Sequence, residues 1–303
     1  MKTLKIKFPS FGVSEGRGGS FGNGSFKSLL IIVFLLLTTT TFAQTNFHWE
    51  WVATGKYSGM SSQINDIVCD DSGNVYGIGT STGYQIFGDD TIKPLGNNDV
   101  IVFKYDSSGN AKWGKLFSSA SWELGYSIVL DSKGDIFICG GFNDSTYIDD
   151  IKLKSNGRSD IFFAKLNNEG EVIWAKSYGS ASQDRGVKLA IDSQDNIYML
   201  GYAFCSSGST SINIDNQSVN LTCGEMFLAK FNSSGNCLWN KRVGGRGMEN
   251  VSAGIVIKND SLIYVAGLYE KNFTLGNYTF KTSDYTQNVF FAVFRNNGTL
   301  KFA

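Results

Sequence analysis

Beyond residue 50 the chain alternates short apolar runs with clusters of Gly, Asn, Asp and Ser, and the alternation recurs four times with a period of 61 to 66 residues. In each period two apolar runs flank a polar turn and the second ends in glycine: Ile67 to Gly79, Ile128 to Gly140, Leu189 to Gly201 and Ile255 to Gly267. A third run follows, DVIVFKYD from Asp99, DIFFAKLN from Asp160, EMFLAKFN from Glu225 and NVFFAVFR from Asn288. Runs this short, rich in Val, Ile, Phe and Tyr, predict strands. The turns DDSGN (Asp70 to Asn74), DSKGD (Asp131 to Asp135), DSSGN (Asp106 to Asn110) and NSSGN (Asn232 to Asn236) predict tight antiparallel hairpins. Their Asp and Asn side chains bond the local backbone, and their glycines accept positive φ. After residue 44 no stretch keeps the three-to-four-residue apolar spacing of a helix, so the prediction is all-β.

Two columns mark the period. Tryptophan recurs at Trp51, Trp113, Trp174 and Trp239, with gaps of 62, 61 and 65, and Phe302 falls 63 residues further on. Glycine recurs at Gly79, Gly140, Gly201 and Gly267. The third run is apolar at adjacent positions, as in Val100, Ile101, Val102 and Phe103, so both of its faces need cover. Small sheets stacked radially supply that cover better than a flat sandwich. The expected fold is therefore a β-propeller of four repeats of about 62 residues, each a four-stranded antiparallel blade whose last strand carries the tryptophan. Two closures fit: a partial propeller continued by further blades, or a four-bladed ring completed by the strand around Trp51.

The amino terminus reads as a targeting segment. Lys2, Lys5, Lys7, Arg17 and Lys27 precede the apolar run Leu29 to Leu37, and Thr41-Phe42-Ala43 offers a cleavage site before Gln44. Residues 1–43 are expected to be a signal peptide with an extension, and 44–303 the repeat domain. The apolar run is too short to span a bilayer, which takes about 20 residues, so no transmembrane anchor is expected after cleavage. Removing residues 1–43 takes five of 27 basic and one of 27 acidic residues, leaving 22 and 26 and a net charge near −4. That balance argues against a nucleic-acid partner.

Chemistry-bearing residues are few or are already explained by the turns. The single histidine, His48, excludes a multi-histidine metal site. Cys205 and Cys223 leave the second strand and enter the third strand of the same repeat, a placement that can bring two cysteines within bonding distance. Asp70, Asp131 and Asp192 recur at one position and would ring a channel, but Lys258 replaces them in the last copy, and a hairpin-opening Asp is explained by its backbone bond. Calcium is possible but unsupported, because the turns lack the run of oxygen ligands of a calcium loop. Asp99, Asp160 and Glu225, with Lys104, Lys165 and Lys230 five residues on, read as solvated strand ends. Tyr57, Tyr84, Tyr147, Tyr202, Tyr269 and Tyr285 lie in connecting segments, where they either stack on a ligand or pack under loops. The glycine-rich Gly244-Gly245-Arg246-Gly247 opens no helix and reads as a loop between blades.

The stretch from Asp160 to Trp174, Asp-x-Phe-x-Ala-Lys-Leu-Asn followed by x-x-Gly-x-x-x-Trp, together with Asp131 to Gly140, resembles the bacterial β-propeller repeats known as SBBP repeats, common in exported proteins of Bacteroidetes-like bacteria. The resemblance covers about residues 47 to 303. It implies radial blades and export, and often a carboxy-terminal sorting domain, which this sequence does not carry. The expected function is an exported, non-enzymatic scaffold that binds a protein or carbohydrate at the cell surface or beyond, with no catalytic residue and no cofactor nominated. The competing expectation is an extracellular hydrolase or lyase acting on polysaccharide, which would need a defined pair of acids at the rim.

Overall fold

The structure is a computed structural model that describes residues 56–58, 62–87, 90–96, 98–205, 208–245, 253–269, 272–282 and 287–303. The expected signal segment, His48 and Trp51 lie outside the described residues, which contain no helix.

Each period forms a four-stranded antiparallel meander. Repeat 1 consists of Ser62–Cys69, Val75–Ser81, Asp99–Tyr105 and Ala111–Phe117. Repeat 2 consists of Glu123–Leu130, Ile136–Ile148, Ile151–Leu166 and Val172–Tyr178, and repeat 3 of Gln183–Ile191, Ile197–Phe204, Met226–Phe231 and Cys237–Gly244. Repeat 4 consists of Gly254–Lys258, Leu262–Tyr269, Asn288–Arg295 and Leu300–Phe302. As expected, the fourth strands carry Trp113, Trp174 and Trp239, and Phe302 takes the same place in repeat 4. Leu300–Phe302 pairs with Asn288–Arg295 as the fourth strand of repeat 4.

The register repeats as well. A bulge between the third and fourth strands falls at Lys104/Tyr105, Lys165/Leu166, Lys230/Phe231 and Val293/Phe294. A second bulge, in the first strand, falls at Ile64/Asp66, Gly125/Ser127 and Gly186/Lys188. The glycine column sits opposite that bulge, where Gly79, Gly140 and Gly201 pair with Ile64, Gly125 and Gly186. The bulged strand presses a carbonyl into the space a side chain would take. A Cβ on Gly140 would lie 1.9 Å from the Leu124 carbonyl oxygen, and one on Gly79 2.0 Å from that of Gln63.

The apolar cores lie between consecutive repeats. Val100 and Val102 of repeat 1 cluster with Ile128 of repeat 2, Ile161 and Phe163 with Leu189 of repeat 3, and Met226 and Leu228 with Ile255 of repeat 4. The sheets of repeats 2 and 3 are therefore buried on both faces, which is why their third strands read as continuous apolar runs.

A feature not anticipated from sequence is an outer hairpin between the second and third strands of every repeat. It is formed by Tyr84–Phe87 with Asp90–Ile92, by the distal halves of Ile136–Ile148 and Ile151–Leu166, by Ser209–Ile214 with Gln217–Thr222, and by Phe273–Leu275 with Tyr278–Phe280. Phe87, Ile148, Ile214 and Leu275 are its buried anchors. Their spacings of 61, 66 and 61 follow the same period, and a glycine or aspartate follows each anchor. Asp149, Asp215 and Gly276 take positive φ at that position. Cys205 and Cys223 are disulfide-bonded, with 5.0 Å between Cα atoms, at the base of this hairpin in repeat 3.

Candidate functional site

The recurrent polar residues bond both within repeats and across the junctions between them. Asp70, Asp131 and Asp192 open their turns as expected: Asp131 Oδ1 accepts from the Lys133 and Asp135 amides at 2.9 Å, and Asp192 Oδ1 from Gln194 and Asn196 at 3.0 and 2.9 Å. The second oxygens of Asp131 and Asp192 meet lysines, which the sequence reading missed. Lys165 Nζ lies 3.0 Å from Asp131 Oδ2 and 2.8 Å from Asp135 Oδ2, over the Phe137 ring, and Lys230 Nζ lies 3.4 Å from Asp192 Oδ2, over Tyr198. Lys165 and Lys230 are buried, not solvated strand ends. Burial opposes the charge on Lys165, but the hydrogen bonds it donates to Asp135 and Asp131 outweigh it and hold the ammonium above its ordinary range.

The tryptophans join neighbouring repeats. Trp113 Nε1 donates to the Asn168 carbonyl and Trp239 Nε1 to that of Asn296, each at 3.1 Å, in the turn before the next repeat's fourth strand. Gly170, Gly235 and Gly298 in those turns take positive φ and face the rings of Trp113, Trp174 and Trp239, where a Cβ would fall within 3.1 Å.

The first strands converge too. Ser127 Oγ donates to Asp66 Oδ2 at 2.6 Å and accepts from the Leu189 amide at 3.0 Å, so one buried hydroxyl links repeats 1, 2 and 3. Lys188 Nζ of repeat 3 reaches Asp66 Oδ1 of repeat 1 at 2.8 Å.

Asp99, Asp160 and Glu225 are likewise buried, contrary to the expectation of solvated ends. Parallel bridges Asn98 to Trp122 and Ser159 to Gln183 bring the start of one repeat's third strand beside the start of the next repeat's first strand. Carboxyls meet there in pairs. Glu123 feels the charge of Asp99, and Asp184 that of Asp160, with all four buried. Burial, reinforced by the neighbouring carboxylate, pushes Glu123 and Asp184 each up to about 7 against opposing bonds from Ser119 and Ser180. In repeat 3 the equivalent Glu225 instead pairs with Arg242.

Carboxyls titrating near neutrality are poised for acid–base chemistry only where a substrate can reach them. Glu123 and Asp184 have no solvent-exposed surface, so their protonation bears on the stability of the junctions instead. The sign follows from linkage: both groups hold a proton more tightly in the folded chain, so their stabilisation is full below about pH 4 and is lost as pH rises through about 7. The melting temperature is expected to fall between about pH 5 and 8 by several degrees. Glu123→Gln with Asp184→Asn should flatten that fall, and an unchanged slope in the double variant would refute this assignment of the protons.

Of the tyrosines considered as ligand platforms, Tyr202 is buried and Tyr269 packs edge-on against Phe273 and Phe280. Tyr84 and Tyr147 are exposed on outer hairpins, with Lys93 and Lys152 over their rings. Tyr285 and the side chain of Tyr57 lie outside the described residues. Gly244 and Gly245 take positive φ beside Phe273 and Phe290, while Arg246 and Gly247 are not among the described residues. Among the described residues no three His, Cys, Asp or Glu side chains are grouped to hold a metal ion.

No family model matches the chain. It is 26% identical over 200 residues to an uncharacterized WD repeat-containing protein L264 of Acanthamoeba polyphaga mimivirus, covering 55% of this chain and 14% of that protein. It is 23% identical over 241 residues to the regulatory protein FlaEY of Caulobacter vibrioides, covering 76% of this chain and 24% of that protein. The chain thus spans a quarter or less of each relative's length. Together with the four antiparallel meanders and inter-repeat cores, the likeness to a WD repeat protein supports a β-propeller-like repeat protein.

Proposed function

We propose that the chain is an exported, non-enzymatic propeller-type scaffold of the SBBP kind that presents its outer hairpins to a protein or carbohydrate ligand at the cell surface or in the medium. The observation that carries this reading is where the chemistry points. The recurrent Asp, Lys, Trp and paired carboxyl groups bond within and between repeats, whereas the repeats differ on their surface in the outer hairpins, where Tyr84 and Tyr147 stand exposed. Residues that hold a repeat describe a scaffold, and recognition falls to those that vary.

The test combines binding and turnover on one set of ligands. The protein is applied to glycan and surface-protein arrays, and the bound polysaccharides are assayed for released reducing ends. The expected result is binding without release, weakened about tenfold by Tyr84→Ala with Tyr147→Ala at unchanged melting temperature. Release of reducing ends would replace this reading with the hydrolase or lyase. Export is checked separately by the mass and first residue of the secreted chain, expected to be Gln44.

A further inference from the structure

The two outermost sheet faces carry complementary halves of one more junction. At each internal junction, third-strand residues of one repeat receive a first-strand residue of the next, and both sides are buried: Val100 and Val102 with Ile128, Ile161 and Phe163 with Leu189, Met226 and Leu228 with Ile255. In repeat 4 the corresponding receivers, Val289 and Phe291, are 72% and 46% exposed. In repeat 1 the corresponding inserter, Ile67, is 61% exposed. The two ends of the array therefore show the two sides of a contact that occurs three times inside it.

Several substitutions fit these two faces to each other. At the junction of repeats 1 and 2 a first-strand glycine faces a larger side chain: a Cβ on Gly125 would fall 2.6 Å from Ile78. Repeat 1 has Ile64 in that glycine's place, and repeat 4 has the small Ala266 in the place of Ile78, so the volume is exchanged between the sides. The buried carboxyl pair, Asp99 with Glu123 and Asp160 with Asp184, would become Asn288 facing Ser62, with no like charge to bury. Phe302 stands in the tryptophan column, half-exposed, where Trp113 and Trp239 each cover a turn of the following repeat. Phe103, replacing the Ala164, Ala229 and Ala292 of the other repeats, already covers Gly77, which narrows the exposed strip of repeat 1 to Ile64 and Ile67.

We propose that repeat 4 of one molecule docks on repeat 1 of a second copy, a head-to-tail contact built like the internal junctions. Such a heterologous interface leaves one face of each kind free on a dimer, so it grows into rings or linear arrays. Both faces are exposed among the described residues, and a second copy of the chain supplies the counterpart that each face lacks.

The test is light scattering on the purified protein and on Ile67→Asp and Phe291→Asp, each at an exposed site that leaves the fold intact by circular dichroism. The wild type is expected to associate with rising concentration over about 1 to 300 µM, and each variant alone to require at least about tenfold more protein. Mixing the two variants should restore a one-to-one dimer, because each keeps the face the other lacks. A monomeric wild type over the whole range would overturn the proposal, in favour of closure within one chain or cover by further repeats. Association untouched by either variant, or variants that fail to complement, would overturn it too.

Discussion

Gly140→Ala is expected to be the most damaging single-atom-scale change in the chain, lowering stability by about 3 kcal/mol or more and the melting temperature by roughly 6 °C or more. The added Cβ would lie 1.9 Å from the Leu124 carbonyl oxygen and 2.4 Å from Phe162. Phe162 has other rotamers, but the carbonyl belongs to the bulged first strand and moves only if the sheet opens. Gly201→Ala should cost less, since its nearest atoms are 2.5 and 2.6 Å away. Gly254→Ala is the control, because nothing lies within 4 Å of its Cβ, and it should change stability by less than about 0.5 kcal/mol. Chemical denaturation of the three variants measures the order. Equal losses at Gly140 and Gly254 would mean that the bulge does not hold the glycine column.

Lys165→Met should cost about 3 to 4 kcal/mol, because it strands a carboxylate instead of removing a pair. Asp131 has only 2% of its side chain exposed, and its other oxygen is committed to the Lys133 and Asp135 amides, so it cannot swing out to water. Adding Asp131→Asn removes the charge, keeps a turn-capping oxygen and should recover at least about 1 kcal/mol. Repeat 4 shows that the meander forms without the pair, since Lys258 and Val293 occupy the two positions. The same urea titration, read at constant m-value, separates the outcomes. A double variant no better than Lys165→Met would show that the ammonium acts by packing over Phe137.

The repeat, its four strands and its turns were legible because they rest on local chemistry: apolar runs, hairpin-opening Asp, and Gly at positive φ. The outer hairpins were passed over as connecting segments, although Phe87, Ile148, Ile214 and Leu275 with a following Gly or Asp carried the period there too. Their strands are only three to six residues long in three of the four repeats, below the length at which alternation stands out. The burial of Asp99, Glu123, Asp160 and Asp184 had no local signal. Acids at strand ends are ordinarily solvated, and only the approach of the next repeat's first strand covers these. Lys165 and Asp131 lie 34 residues apart, so each column was visible and their meeting was not.

The first strands of successive repeats converge, and their polar columns hold the repeats together. A double-mutant cycle on Asp66→Asn and Ser127→Ala tests this most directly, since the two residues lie 61 positions apart in different repeats and meet only through a 2.6 Å hydrogen bond. A coupling energy of about 1 to 2 kcal/mol is expected. Additivity of the two losses within about 0.3 kcal/mol would contradict it.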